Sequence, residues 1–161
     1  MEIYNLLEKI DNMSENDIID YFNILNELTT VYQNKDELKK MLLNFKDYIK
    51  SLPNNDLLNK TIFLCYYQDK LIGTASLIIE TKIIHNYGKV GMIEDVVITN
   101  SCQGKGFGKE LIHFLINKSK ENNCYKTILT CNDKNLKFYQ KCTPENIEIK
   151  CNNNVSYYIL K

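Results

Sequence analysis

The chain has no arginine and no tryptophan, and only two prolines and six glycines among its 161 residues. Two prolines exclude a proline-rich linker. Because all twenty basic residues are lysines, a bound anion must be held by lysine, histidine, hydroxyl groups, backbone N–H groups or helix ends. The acidic residues also number twenty, so the net charge is zero. That balance argues against a nucleic-acid binder or an acidic-membrane binder.

No apolar run approaches the roughly 20 residues that a membrane span needs, and the first eleven residues are too charged for a signal peptide. The sequence also lacks any C-x-x-C pair, and its two histidines lie far from the cysteines. We therefore expect no zinc or other metal site, and expect free, buried thiols in a reducing, cytoplasmic compartment. These thiols are Cys65, Cys102, Cys124, Cys131, Cys142 and Cys151.

The length predicts a single domain spanning residues 1–161. Apolar periodicity predicts helices over about 15–28, 35–50, 106–121 and 134–141, the first starting at a capping box formed by Ser14 and Asp17. Runs of β-branched and aromatic residues predict strands over 2–8, 61–67, 71–82, 90–98, 125–131, 146–151 and 155–160. This order predicts an α+β fold with a mixed central sheet and flanking helices.

The most distinctive segment is the loop Gln103-Gly104-Lys105-Gly106-Phe107-Gly108, which holds three of the six glycines. It lies between a predicted strand and a predicted helix, where backbone N–H groups and the helix dipole favour a phosphate or pyrophosphate. The alternative is that the glycines only permit a tight turn. A P-loop is excluded because the glycine spacing is one residue short and Glu110 replaces the hydroxyl residue. The G-x-x-G spacing of a dinucleotide fingerprint is also missing.

The loop matches Q/R-x-x-G-x-G/A, and with the order of elements it resembles the GNAT acetyltransferases. The resemblance implies the GNAT acyl-CoA N-acyltransferase fold, in which acetyl-CoA binds between two splayed parallel strands. Residues 90–98 and 125–131 would be those strands. The pantetheine would then lie along exposed strand backbone, much like an added strand.

Five further segments resemble one family within that superfamily, the glucosamine-6-phosphate N-acetyltransferases. The match is dense from about Leu71 onward and thin before it. The segments are Leu28-Thr-Thr-Val31, Glu80-Thr-Lys-Ile-Ile-His85, Met92-Ile-Glu-Asp-Val-Val97, Asn123-Cys-Tyr-Lys126 and Asn135-Leu-Lys-Phe-Tyr-Gln-Lys-Cys142.

Two adjacent carboxylates, Glu94 and Asp95, stand in an otherwise apolar strand, where burial is costly unless they are paired. An ordinary strand end is the alternative. The resemblance implies that Glu94, Asp95 and Tyr139 are catalytic, with the carboxylates orienting the sugar amine and Tyr139 stabilising or protonating the CoA thiolate. It implies acetyl-CoA contacts from Val96, Val97, Ile98, Gln103, Gly104, Lys105, Gly106, Phe107, Gly108, Asn135 and Tyr139. Implied substrate contacts come from Thr29, Lys82, His85, Glu94, Asp95, Tyr125, Lys126 and Thr130.

Two positions depart from the family pattern. Family members place a carboxylate where this chain has Thr130, and some carry a phosphate-gripping arginine near the C-terminus, where this chain has Leu160. Cys131 and Cys142 lie near the implied CoA site, but we interpret them as small buried hydrophobic residues. The family forms dimers with shared active sites, so a homodimer is expected.

Three functions stay open at this point. The first is transfer of the acetyl group of acetyl-CoA to the 2-amino group of glucosamine 6-phosphate, on the route to UDP-N-acetylglucosamine. The second is transfer to another small amine, such as a polyamine, or to a protein N-terminus. The third is a non-catalytic CoA-binding module.

Overall fold

The computed structural model describes residues 1–52, 58–142, 148–152 and 155–159, the last two ranges as backbone only. Within these residues the chain forms two compact units. The first unit comprises residues 1–52, 61–75 and 95–107. The second comprises residues 58–60, 76–94 and the described residues from 108 onward. Three strands, described below as β2, β3 and β4, contribute residues to both units.

The described elements follow one another in a mixed α and β order. The strands are β1 (Glu2–Asn5), β2 (Leu58–Tyr67), β3 (Lys70–Thr81), β4 (Lys89–Ile98), β5 (Cys124–Thr130), β6 (Glu148–Asn152) and β7 (Val155–Ile159). The helices are α1 (Leu6–Lys9), α2 (Glu15–Leu28), α3 (Lys35–Ser51), α4 (Ile84–Tyr87), α5 (Phe107–Glu121) and α6 (Asp133–Lys141). Short 3-10 turns at Ile10–Asn12 and Asn100–Cys102 complete the set.

The strands pair in the order β1-β2-β3-β4-β5-β7-β6. β4 and β5 are parallel, whereas β1–β2, β5–β7 and β6–β7 are antiparallel. This mixed sheet with flanking helices confirms the predicted α+β class.

The first unit has a core built from α2, α3 and the β1–β2 ribbon. Tyr21, Phe22 and Phe45 form an aromatic cluster with ring centroids 4.9 to 5.9 Å apart. The capping box of α2 is confirmed, because Ser14 Oγ accepts a hydrogen bond from Asp17 N–H and Ser14 N–H donates to the Asp17 carboxylate. At the end of α2 the apolar Leu28 is 45% exposed, whereas Ile24, one turn earlier, is buried.

The second unit is organised by α5 packing on β4 and β5. Leu111, Ile112, Leu115 and Ile116 have no exposed surface, as the helical spacing predicted. Ser119 on α5 and Thr127 on β5 form a buried hydrogen bond of 2.7 Å between their hydroxyl groups. This bond fixes the helix on the strand that lies beside β4.

Three local predictions differ from the structure. The strand predicted over residues 2–8 ends at Asn5, because the Asn5 side chain accepts a hydrogen bond from Leu7 N–H and starts α1. The helical turn α4 was not predicted, and β2 begins three residues earlier than expected, at Leu58. Residues 153–154, which the sequence places in the last hairpin turn, and Leu160 lie outside the described residues, as do residues 53–57.

Candidate active site

The two adjacent carboxylates stand at a local irregularity of β4. Asp95 has φ of +55°, an uncommon left-handed conformation for a residue other than glycine. The alternation of the strand is broken there, so that Glu94 and Asp95 are both exposed while Ile93 and Val97 are buried. The two carboxylates stand in the apolar strand as expected, but both are exposed there, so neither bears the cost of burial. The left-handed residue turns both toward solvent, as β-bulges do.

Glu94 and Thr130 lie at the same edge of the second unit. The parallel pairing of β4 and β5 runs from Lys89 opposite Cys124 to Ile93 opposite Leu129. Glu94 and Thr130 each follow the last pair directly, and both side chains are exposed. A threonine hydroxyl is not a base at neutral pH, so of these two side chains only Glu94 carries a carboxylate.

The glycine-rich loop has the backbone conformation that only glycine adopts without strain. Gly104 has φ of +76° and Gly106 has φ of +90°, and a Cβ at either position would meet no atom within 4 Å. The backbone conformation of the turn therefore requires glycine at these two positions, and close packing does not. The loop from Gln103 to Gly106 is exposed and leads directly into α5 at Phe107. Unpaired N–H groups of a first helical turn can bind an anion there.

Hydrogen bonds from both sides brace this loop within the first unit. Thr99 N–H donates to the carbonyl of Ile72 at 2.8 Å. The Gln103 side-chain amide donates to the carbonyl of Ile98 and to Asn100 Oδ1, both at 3.0 Å. Gln103 thus shapes the loop, and the carbonyl of Ile98 is engaged by it.

Other members of the predicted CoA set are placed as follows. Val96 is half-buried and Ile98 is buried in β4. Lys105 Nζ donates to the carbonyl of Ser101 at 3.2 Å, which curls its side chain back onto the loop. The Phe107 ring packs on Tyr67 with centroids 4.9 Å apart. Gly108 follows within the first turn of α5.

Tyr139 is buried near two thiols in the second unit. It lies on α6, where the exposed Asn135 stands one turn earlier. Burial, with smaller contributions from the nearby Cys131 and Cys142, raises the pKa of Tyr139 to about 12. The phenol therefore keeps its proton at neutral pH and can donate a hydrogen bond. Cys142 is buried as expected, whereas Cys131 is only half-buried.

The other described cysteines divide in the same way. Cys65 and Cys124 are buried, as predicted, while Cys102 is half-buried, and all five described cysteines are free thiols. Burial raises the pKa of the Cys142 thiol to about 11, so it is not a thiolate at neutral pH. Cys151 lies in β6, where only the backbone is described.

Two of the predicted phosphate-binding residues, His85 and Lys126, lie beside Tyr125 in the second unit. The His85 ring lies 4.7 Å from the Tyr125 ring, and Lys126 Nζ lies 5.7 Å from the same ring. Lys82 Nζ is 2.5 Å from the Glu80 carboxylate. The backbone N–H of Lys82 donates to the carbonyl of Gly88 at 2.9 Å. Two of the three predicted cations, His85 and Lys126, thus contact one aromatic ring.

Gly88 is a contributor to this cluster that sequence reasoning missed. A Cβ there would lie 2.8 Å from Tyr125 Cδ1 and 3.0 Å from the carbonyl of His85. Any side chain would push the Tyr125 ring away from its position beside His85. An isolated glycine after a helical turn gave no signal for this role in the sequence.

Thr29 ends α2 and belongs to the first unit. Its side chain is exposed, and its N–H closes the helix on the carbonyl of Leu25 at 3.0 Å. Glu27, on the last turn of the same helix, was also missed. It accepts hydrogen bonds from Thr99 and Asn100 at the start of the glycine-rich loop.

The predicted site residues fall into both units. In the first are Thr29, Asp95, Val96, Val97, Ile98, Gln103, Gly104, Lys105, Gly106 and Phe107. In the second are Lys82, His85, Glu94, Gly108, Tyr125, Lys126, Thr130, Asn135 and Tyr139. Across the described part of the chain, no three His, Cys, Asp or Glu residues are grouped as a metal site. The helices described here are also too short or too polar to span a bilayer.

Comparison with known proteins finds relatives that are named acetyltransferases. The glucosamine 6-phosphate N-acetyltransferase of Arabidopsis thaliana is 43% identical over 81 residues, which cover 50% of this chain and 54% of the relative. The enzyme of that name from Candida albicans is 46% identical over 72 residues, covering 45% and 48% respectively. The chain thus spans about half the length of the curated relatives it matches.

The fold comparison extends over nearly the whole chain. The crystal structure of glucosamine-6-phosphate N-acetyltransferase from Arabidopsis thaliana superposes with a TM-score of 0.62 and 28% identity. The superposition covers 94% of this chain and 96% of the other. The profile of the acetyltransferase (GNAT) family matches residues 20–143, well over half of the sequence. These matches confirm the predicted fold, and the chain belongs to the acetyltransferase (GNAT) family.

Proposed function

We propose that the protein transfers the acetyl group of acetyl-CoA to the 2-amino group of glucosamine 6-phosphate, giving N-acetylglucosamine 6-phosphate and CoA. The observation that carries this proposal is the identity of 43% over 81 residues and of 46% over 72 residues to enzymes of that name. Membership of the GNAT family supplies acetyl-CoA as the cosubstrate. The exposed carboxylates of Glu94 and Asp95 give the ammonium group of an amino sugar a place to bind.

The reaction is a direct attack within a ternary complex. The carboxylates orient the sugar amine, and one of them, acting through a water molecule, receives its proton in place of the missing carboxylate at Thr130. The neutral nitrogen attacks the thioester carbonyl, and the N–H of Val96 donates to the oxyanion that forms. The tetrahedral intermediate collapses with cleavage of the C–S bond. After the attack the nitrogen loses a second proton, which balances the one that the CoA sulfur finally gains, while the first passes from the carboxylate to solvent.

Tyr139 stabilises the departing thiolate. With its pKa raised to about 12, the phenol is a weaker acid than a thiol with a pKa near 8.5. Full transfer of its proton to sulfur is therefore uphill. Donation of a strong hydrogen bond to the thiolate, with the proton arriving from nitrogen or solvent, accounts better for a tyrosine in this state.

The phosphate of the sugar binds to Lys82, His85 and Lys126 of the second unit. The His85–Tyr125 and Lys126–Tyr125 contacts support this proposal, since they bring two of these groups to one ring. Lysine and histidine give this site point charges and single donors, without the bidentate fork of arginine.

The domain organisation, oligomeric state and location of the protein are proposed from the same resemblance to the family. We propose that residues 1–161 act as one catalytic GNAT domain in a cytoplasmic homodimer, and that its product serves UDP-N-acetylglucosamine synthesis. The dimer is testable by light scattering of the purified protein.

The acceptor is tested by offering several amines with acetyl-CoA and identifying the acetylated product by mass spectrometry. The panel is glucosamine 6-phosphate, spermidine and a peptide with a free N-terminus. CoA is followed chromatographically, because the protein's own six cysteines react with thiol dyes. We expect an acetylated product from the sugar phosphate alone. Acetylation of spermidine or the peptide instead would overturn the acceptor, and CoA binding without any product would indicate a binding module.

A further inference from the structure

Glu27 joins the last turn of α2 to the start of the glycine-rich loop. Its Oε1 accepts a hydrogen bond from Thr99 Oγ1 at 2.7 Å, and its Oε2 accepts one from Asn100 N–H at 2.7 Å. Both oxygens of one carboxylate are therefore engaged at two consecutive residues. Charge-assisted hydrogen bonds of this kind are stronger than neutral ones.

The connection continues from Asn100 into the loop. Asn100 Oδ1 accepts a hydrogen bond from the Gln103 side-chain amide at 3.0 Å, and the same amide donates to the carbonyl of Ile98 at 3.0 Å. A chain of hydrogen bonds thus leads from Glu27 through Asn100 to Gln103, the residue immediately before Gly104.

The glycines that follow cannot fix the loop by packing. They have no side chains, and the space where a Cβ would stand at Gly104 and Gly106 is open. Glycine also gains more backbone freedom than any other residue when it is released from a fixed conformation. The conformation of this segment therefore depends on bonds made at its start, where Glu27 acts.

We propose that Glu27 is a positioning residue that holds the glycine-rich loop in the conformation that binds the pyrophosphate of acetyl-CoA. This inference rests on the proposed function, which supplies the ligand. Glu27 is an anion and does not itself bind the pyrophosphate. It acts through Thr99 and Asn100, and its own charge is engaged by their donors.

The expected effect follows from the population of the binding conformation. A ligand that binds only one conformation loses apparent affinity in proportion to the fraction of that conformation. Replacing Glu27 removes both hydrogen bonds, and a fall of that fraction to about one tenth would raise the dissociation constant about tenfold.

The test compares two acetyl donors in the Glu27→Ala variant. Acetyl-CoA carries the pyrophosphate, whereas acetyl-pantetheine carries the same thioester without it. We expect the dissociation constant of CoA and the KM for acetyl-CoA to rise about tenfold, with kcat changed less than twofold. The kcat/KM with acetyl-pantetheine should not change. Glu27→Gln should be intermediate, because its amide oxygen accepts one bond while its NH₂ faces a donor.

Two further variants separate positioning from general stability. Glu15→Ala makes the same chemical change at the exposed first residue of α2 and should leave both donors unaffected. Thr99→Val removes one donor to Glu27, so combining it with Glu27→Ala should add less than the sum of the single effects on the CoA dissociation constant.

The outcomes are distinguishable. An equal loss with both donors would overturn the positioning role and indicate a general loss of structure. An unchanged CoA dissociation constant in Glu27→Ala would overturn it as well. Failure of the unaltered protein to bind CoA would overturn the proposed function, and with it the ligand named here. In that case, faster hydrogen exchange of the Asn100 amide in Glu27→Ala than in Glu15→Ala would still establish that Glu27 holds the start of the loop.

Discussion

Tyr139 is the residue whose chemistry depends most on where the fold places it. Only 8% of its surface is exposed, and burial together with Cys131 and Cys142 raises its pKa to about 12. A tyrosine four positions after Asn135 on a short helix is more often a core residue than a catalytic one, and both kinds of tyrosine are buried. The distinction has to be made by kinetics.

Replacing Tyr139 with phenylalanine removes one hydroxyl and keeps the ring. If the phenol stabilises the thiolate, kcat for acetyl transfer should fall by about 100-fold while the KM values change little, because this interaction forms in the transition state. Tyr48→Phe, at an exposed tyrosine of α3, is the matched control. A kcat unchanged in Tyr139→Phe would assign this tyrosine to the core alone.

Residues that act through contacts close in sequence could be predicted, and residues that act through distant contacts could not. Gln103 and the glycines form a local motif that is visible in the chain. Glu27 reaches Thr99 across 72 positions, and an exposed glutamate on a helix carries no local signal of such a contact. Likewise, the solvent exposure of Glu94 and Asp95 depends on the left-handed conformation of Asp95, which the apolar run around it does not predict.

At the scale of elements, α5 and β5 are joined by one buried polar pair. Ser119 and Thr127 have no exposed surface, and their hydroxyl groups are 2.7 Å apart. Gly91 of β4 also lies close, since a Cβ there would stand 2.1 Å from Ser119 Oγ. This packing fixes α5 on the two parallel strands.

Removing one hydroxyl of this pair should lower the free energy of unfolding by more than half of what removing both hydroxyls costs. Ser119→Ala or Thr127→Val leaves the other hydroxyl buried without its partner, at a cost of about 1 to 3 kcal/mol in the free energy of unfolding. The double variant should lose less than the sum of the two. Urea unfolding of the four proteins measures this, and strictly additive losses would contradict a direct interaction.

Regular elements with strong periodicity followed the sequence closely. The helix predicted over 35–50 is Lys35–Ser51, and the strand predicted over 90–98 is Lys89–Ile98. The first strand was predicted too long because its apolar residues continue into α1. There, a single side-chain cap at Asn5 determines the change from strand to helix. Such caps outweigh a short hydrophobic pattern.

At the scale of the whole molecule, two buried tyrosines link stability to alkaline pH. Burial raises the pKa of both Tyr21 and Tyr139 to about 12, from an ordinary value of 10.0. Tyr21 also hydrogen-bonds with Thr74. A raised pKa means that the folded state binds more protons than the unfolded state between these values. Stability is therefore fully present below about pH 10 and is lost as the pH rises toward 12.

We expect the free energy of unfolding to fall by about 1 kcal/mol per tyrosine between pH 9 and pH 11. Tyr21→Phe should make the slope shallower without changing its sign, because Tyr139 and the buried Cys142 thiol, whose pKa is also raised, still contribute. Urea unfolding at several pH values provides the measurement. A slope that is the same in Tyr21→Phe and the unaltered protein would contradict the assignment of this proton linkage to Tyr21.

Recognition of glucosamine 6-phosphate as the acceptor can be tested by a single comparison of two sugars. It is the ratio of kcat/KM for glucosamine 6-phosphate to kcat/KM for unphosphorylated glucosamine, measured with saturating acetyl-CoA. If Lys82, His85 and Lys126 bind the phosphate, two or three charge-assisted contacts should make this ratio about 100 or more. A ratio near one would keep the acetyltransferase and contradict the phosphate site.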